Sequence, residues 1–153
     1  MDAIDRKILA CLQSDSAMPI EEIARQAGLS NSPCWRRIQK LEASGVIKAR
    51  VALLDPAKMN VGVTVFVAVR TNQHNAQWAE RFCREVRKIA EVVEFYRMSG
   101  ETDYLLRVVV PDIAAYDRVY QRLIKVADLF DVSSNFAMEC IKYTTALPTQ
   151  YAE

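Results

Sequence analysis

Two short stretches hold most of the residues whose types and spacing could do chemistry: "SNSPCWRRIQK" at 30–40 and "RMSGETDYLL" at 97–106. In the first, the small polar residues Asn31 and Ser32 precede the cations Arg36, Arg37 and Lys40. A recognition helix in a major groove needs that order, with hydrogen-bonding groups near base edges and positive charge along the flank. Lys48 and Arg50, farther on, are placed to lie against phosphates. The same cations also suit a solvated helix face, and three-helix units also serve in protein contacts. In the second stretch Gly100 frees a turn whose backbone N–H groups can hold a carboxylate. Thr102 adds a hydroxyl, and Asp103 an acceptor for an ammonium. Those parts suit a zwitterionic amino acid, and they equally make an ordinary hairpin with a polar tip. Ser133 and Ser134 in "SSNF" stay open in the same way, since they can simply start an edge strand.

Other chemistry finds few parts. His74 is the only histidine and sits in the polar "TNQHNAQ", where it reads as a solvated loop or helix-start residue. Cys11, Cys34, Cys83 and Cys140 are widely spaced beside apolar neighbours, so each reads as a buried free thiol and no metal site is expected. There is no Cys–His pairing and no glycine-rich phosphate loop, and Glu80 and Glu85 belong to a charged helix face. An enzyme is not expected, nor a cofactor. The 153 residues are 51% hydrophobic and 25% charged, a globular balance, and the formal charge of +1 makes the cations near 36–50 a local patch on a neutral chain. No apolar run reaches the roughly eighteen residues that would cross a membrane. Met1 is followed by an acidic amphipathic segment unlike a signal peptide, so a cytoplasmic protein is expected.

The elements that must position these residues follow from period and punctuation. Asp2 caps a first helix, with Asp5 three residues on and Ile4, Ile8, Cys11 and Leu12 as its apolar stripe. Pro19 opens a second helix carrying Ile20, Ile23, Ala24 and Ala27, and Gly28 supplies its left-handed stop, with Leu29 behind. Ser30 or Ser32 caps a third, with Pro33 in its first turn. Cys34, Ile38 and Leu41 fall on one side of it, with Trp35 close to them, and Gly45 ends it. "VIKARVALLD" alternates like a strand, which completes the outline of a winged helix-turn-helix.

After the turn-rich "DPAKMN" the pattern changes. "GVTVFVAVR" is a strand, Trp78, Phe82, Val86 and Ile89 mark a helix, and "VVEFYRM" and "DYLLRVVV" form a hairpin through "SGET". Asp112 caps a further helix, and "DVSSNFAMECIKY" closes as a strand. The order βαββαβ is the ferredoxin-like plan, so the fold class is α+β. Val61, Val63, Val65, Val67 and Val69 take one side of the first of these strands, yet Phe66 and Ala68 take the other. A sheet with helices on one face and water on the other should alternate apolar with polar. A homodimer through the open sheet faces is therefore expected.

Taken together and in order, "DAIDRKILACLQ", "IARQAGLSNSPCWRRIQKLEASGVI", "ALLDP", "SGETDYLLRVVV" and "FAMECIKYTTALP" resemble the Lrp/AsnC family, the leucine-responsive or feast/famine transcriptional regulators. "PCWRRI", "VALLDP", "RMSGETDYLL" and "IKYTT" are most similar to its DecR-like branch. The resemblance spans essentially the whole chain. It implies a winged helix-turn-helix DNA-binding domain over 1–47, a linker strand and turn over 48–60, and a ferredoxin-like ligand-sensing and oligomerisation domain over 61–153. It implies double-stranded DNA as partner, contacted by Asn31, Ser32, Arg36, Arg37 and Lys40. It also implies homodimers assembling to tetramers or octamers, and a small amino acid as effector between dimers. The effector would meet Met98, Gly100, Thr102, Asp103 and Tyr104, with Ser133, Ser134 and Phe136 offered by a neighbouring subunit. Many relatives carry a proline directly after the serine that opens the recognition helix; here that position is Asn31. Two other readings are an effector-independent global or DNA-packaging regulator, and a small-molecule-binding module that does not engage DNA.

Overall fold

A computed structural model describes residues 1–73, 75–126 and 129–152, so His74 lies outside the described residues. The chain forms two compact units, Met1–Leu53 with Ile141–Glu153, and Leu54–Cys140.

The first unit is built from three helices, α1 (Ala3–Ser14), α2 (Ile20–Ala27) and α3 (Asn31–Ala43). Asp2 and Asp5 form a reciprocal capping box at the start of α1: the Asp2 carboxylate accepts from the Asp5 N–H at 2.8 Å, and the Asp5 carboxylate from the Asp2 N–H at 3.2 Å. Gly28 takes the left-handed conformation at φ 73°, and the Leu29 N–H returns to the Ala24 carbonyl at 2.8 Å, closing α2. Ile8, Ile23, Cys34 and Ile38 meet in the core of this unit, with Ala24, Ala27 and Leu41 around them. Trp35, expected beside this row, is not in it. It follows buried Cys34 by one residue, a step of about 100° around a helix, and that step turns the indole outward.

Two expected strands differ. The segment 46–55 has no strand pairing, and Val51, Leu53 and Leu54 are exposed. A strand exists through a neighbour that takes its N–H and C=O groups, and this segment meets none among the described residues. The last residues of the chain, expected in the second domain, group instead with the first unit. Hydrogen bonds explain this: Gln13 donates to the Leu147 carbonyl at 3.1 Å and accepts the Leu147 N–H at 2.7 Å, and Arg6 donates to the Ala152 carbonyl at 3.2 Å.

The second unit runs β1 (Val63–Arg70), α4 (Ala76–Val86), β2 (Val92–Arg97), β3 (Tyr104–Val110), α5 (Ile113–Val126) and β4 (Asp131–Phe136). Its sheet has the order β2-β3-β1-β4, every pair antiparallel, the ferredoxin-like arrangement read from the sequence. Val65, Val67 and Val69 of β1 are fully buried with Leu106, Val108 and Val110 of β3, and Phe82, Val86, Val119 and Leu123 of the helices lie in the same core. Phe82 stacks on Trp78 with centroids 5.0 Å apart and meets Phe95 edge-on at 5.8 Å. The closing strand is shorter than expected. The Ala137 N–H still reaches the Thr64 carbonyl, but β1 begins at Val63, so nothing remains to pair the chain beyond it. Among the described residues no helix is long and apolar enough to cross a membrane.

A Cβ added to Gly28 would meet no atom within 4 Å, so substitution there isolates backbone strain. Gly28→Ala is expected to lower the unfolding free energy in urea by about 1–2 kcal/mol, and Gly28→Asn by less. An alanine variant as stable as the parent would show that the turn is not held left-handed.

Candidate functional site

The outward face of α3 is the first candidate. Cys34, Ile38 and Leu41 hold the opposite face in the core, so Asn31, Ser32, Arg36 and Lys40 are all exposed. Ser30 takes the extended N-cap conformation without a side-chain hydrogen bond, which leaves the N–H groups of Asn31 and Ser32 open at the positive end of the helix. Pro33 has no N–H to satisfy. Arg36 and Lys40 form no ion pair among the described residues. Behind them, Arg50 pairs with Glu42 at 2.8 Å, while Lys48 is exposed.

Arg37 departs from the expected set. Its guanidinium reaches Asp5 at 2.7 Å and Asp2 at 2.6 Å, tying α3 to the capping box of α1. It lies beside the buried row on the helical wheel, so its side chain turns along the core edge, away from the exposed cations. The two hydrogen bonds, to Asp5 and then Asp2, raise the Arg37 pKa above its ordinary value. The Asp2 carboxyl is held below the ordinary carboxylate range, first by the Asp5 N–H and then by Arg37. Arg37 is thus a positioning residue for α3. The pairing was not legible in sequence because it joins residues more than thirty positions apart, 32 for Asp5 and 35 for Asp2.

The second candidate is the hairpin between β2 and β3. Gly100 has φ 102°, which only glycine takes easily, so it fixes the turn. Met98 and Gly100 are exposed, and Thr102 and Asp103 are half-buried. Asp103 locks the hairpin to the end of β1. Its N–H donates to the Val69 carbonyl at 3.0 Å, its carboxylate accepts the Thr71 N–H at 2.8 Å, and its carbonyl accepts the Met98 N–H at 2.8 Å. Thr71 is buried and was missed in sequence, because only the sheet pairing brings it to Asp103.

Three other expected ligand residues face elsewhere. Tyr104 is a core residue, its ring 5.1 Å from Phe82 and 5.7 Å from Phe95, and burial raises its phenol pKa. Ser134 and Phe136 sit on the helix side of β4. There the Ser134 hydroxyl bonds to Tyr116, and Phe136 meets the Tyr116 ring edge-on at 5.3 Å. Ser133, opposite Ala68, lies on the other face of the sheet. Strand alternation sends consecutive residues to opposite faces, so Ser133 and Ser134 cannot serve one ligand together.

The open sheet face carries Phe66, 40% exposed, with Ala68, Leu105, Val109 and Tyr96, and an Arg107–Glu94 ion pair at 2.6 Å crosses it. Among the thiols, Cys11 and Cys34 are buried and Cys83 half-buried, but Cys140 is exposed, contrary to expectation. Burial, then the neighbouring Cys11, raises the Cys34 pKa, which keeps that thiol neutral and unreactive. No group of residues among those described could hold a metal ion.

Comparisons with known proteins match the chain in two parts. Residues 1–42 match the AsnC-type helix-turn-helix domain and residues 64–147 the Lrp/AsnC ligand binding domain. The chain is 47% identical over 151 residues to the DNA-binding transcriptional activator DecR of Escherichia coli, covering 98% of this chain and 99% of that protein. Its fold superposes on a crystal structure of an AsnC family transcriptional regulator from Agrobacterium tumefaciens with a TM-score of 0.97, at 60% identity and 100% of both chains. It also superposes on a transcriptional regulator from Neisseria meningitidis in complex with L-Met, with a TM-score of 0.93, at 35% identity and 98% and 97% of the two chains.

Arg37→Ala is expected to lower the melting temperature, while Arg36→Ala leaves it within about a degree of the parent. The folded pKa of Asp2 is depressed, so its contribution is present at neutral pH and is lost as pH falls through that lowered value. Acid destabilisation, followed by circular dichroism melts, should therefore be shallower in Arg37→Ala. Equal melting temperatures for the two variants would remove Arg37 from this positioning role.

Proposed function

The chain belongs to the Lrp/AsnC family, and on that footing we propose that it is a cytoplasmic, sequence-specific DNA-binding transcriptional regulator tuned by a small amino acid. The observation that carries the reading is the exposed face of α3, where Arg36 and Lys40 have no acidic partner among the described residues while the neighbouring Arg37 is paired with Asp2 and Asp5. α3 enters a major groove with Asn31 and Ser32 toward base edges and Arg36 and Lys40 toward phosphates. The protein acts as a homodimer, packed through the apolar open faces of two sheets. Two copies of α3 then meet half-sites about 34–36 Å apart, or a multiple of that spacing. Dimers assemble further, to a tetramer or an octamer.

The effector binds between dimers at the hairpin. The carboxylate meets the turn around Gly100, Thr102 supplies a hydroxyl, and the open part of the Asp103 carboxylate faces the ammonium, with Met98 beside the side chain. A neighbouring subunit contributes Ser133. Binding at that junction shifts the balance between assemblies and so changes how spaced half-sites are engaged. A regulator that answers no effector is the second reading, and one observation favours it: the Asp103 carboxylate already accepts the Thr71 N–H.

Arg36→Ala and Lys40→Ala should each weaken DNA binding and reduce the slope of log affinity against log salt by about one. Unchanged slopes in both variants would sink the α3 assignment. For the effector, a thermal-shift panel of the common amino acids should single out one or two. A ligand at one hundred times its dissociation constant adds about 2.7 kcal/mol. A flat panel, with and without DNA, decides for the effector-independent reading.

A further inference from the structure

We propose that Trp35 is a specificity-determining residue of α3, its indole lying against the 5-methyl group of a thymine in the major groove. This deepens the DNA-binding reading and rests on it. Trp35 is 56% exposed, next to Cys34 at 0%. A lone exposed ring is ordinary on a protein surface, so what singles out Trp35 is its place among the polar groups of the outward face of α3. It lines an open concavity of about 550 Å³ with Ile20, Glu21, Asn31, Ser32 and Arg36.

The charges around that concavity say what the occupant is. Arg36, and Lys40 one turn on, carry positive charge with no acidic partner among the described residues, and so draw a polyanion to this face. Glu21 stands on the α2 side and repels phosphate there. The place beside the indole therefore suits an uncharged group within reach of the backbone contacts. The thymine methyl is the one apolar group that base pairs present in the major groove, and large apolar side chains contact it. Asn31 and Ser32, in the turn before Trp35, are placed to hydrogen-bond the neighbouring base edges. Trp78, the other tryptophan, stacks in the core of the second unit and has no such role.

The test uses the full chain and a duplex that it enriches from a randomised pool. Each thymine of the enriched duplex is replaced singly by deoxyuridine, which lacks only the methyl, and affinity is read by fluorescence anisotropy at fixed salt. At one or two thymines per half-site the change should weaken binding roughly fourfold, the worth of one buried methyl-sized group. In Trp35→Ala those penalties should vanish while the salt slope stays that of the parent, because no phosphate contact is lost. The deoxyuridine series on the parent chain needs no variant, so it stands even if Trp35→Ala folds poorly. Absence of any thymine penalty in the parent overturns the proposal, as does a Trp35→Ala protein that keeps every penalty. Failure to enrich any duplex is a different result: it removes the DNA-binding reading itself, and this inference with it.

Discussion

The first unit depends on one constraint, that a helix of 3.6 residues per turn can bury only one stripe of its surface. On α3 that stripe is Cys34, Ile38 and Leu41. Once these three are in the core, the place of every other side chain follows. Arg36 and Lys40 are opposite the core and solvated. Arg37 lies along its edge, within reach of α1, and Trp35 lies off it on the other side. Residues adjacent in sequence thus differ in their surroundings, Arg36 solvated and unpaired among the described residues and Arg37 held in a local ion-pair cluster. The capping box of α1 serves twice, closing the helix start and presenting two carboxylates to Arg37.

The second unit answers to the corresponding rule for strands, with a period of two. β1 lies between β3 and β4, and its valines fill the helix side completely. The alternate residues, Phe66 and Ala68, are covered by no helix among the described residues. Leu105 and Val109 of β3 extend the same surface, and Arg107 and Glu94 neutralise each other across it rather than opposing a partner with net charge. Such a face is suited to a second copy of itself, because a two-fold axis brings the same apolar patch to both sides.

Between these extremes lies the hairpin proposed as the effector site, and its first duty is structural. Gly100 sets the turn and Asp103 bonds it to β1, so the loop is held in place before any ligand arrives. A preformed loop lets an effector bind without first ordering the chain. The same bonds limit what Asp103 can offer, since part of its carboxylate is already in use. The adjoining Tyr104 contributes to the core rather than the loop, so it falls outside the proposed site.

Much was legible in the sequence because it is local. The Asp2 cap, the Gly28 and Gly45 stops, the buried row of α3 and the βαββαβ order all depend on residues within one or two turns, or on alternation within one strand. The segment 46–55 shows the limit, since its alternation was real but a strand also needs a neighbour. Whatever required distant residues to meet was decided by tertiary structure alone: Arg37 on Asp2 and Asp5, Thr71 under Asp103, Ser134 on Tyr116, and the C-terminal residues returning to α1. Caps and periods are written in short windows because backbone hydrogen bonds in helices and turns close over three to six residues. Side-chain pairing across a fold has no such window, so the sequence supplied the groups and packing chose their partners.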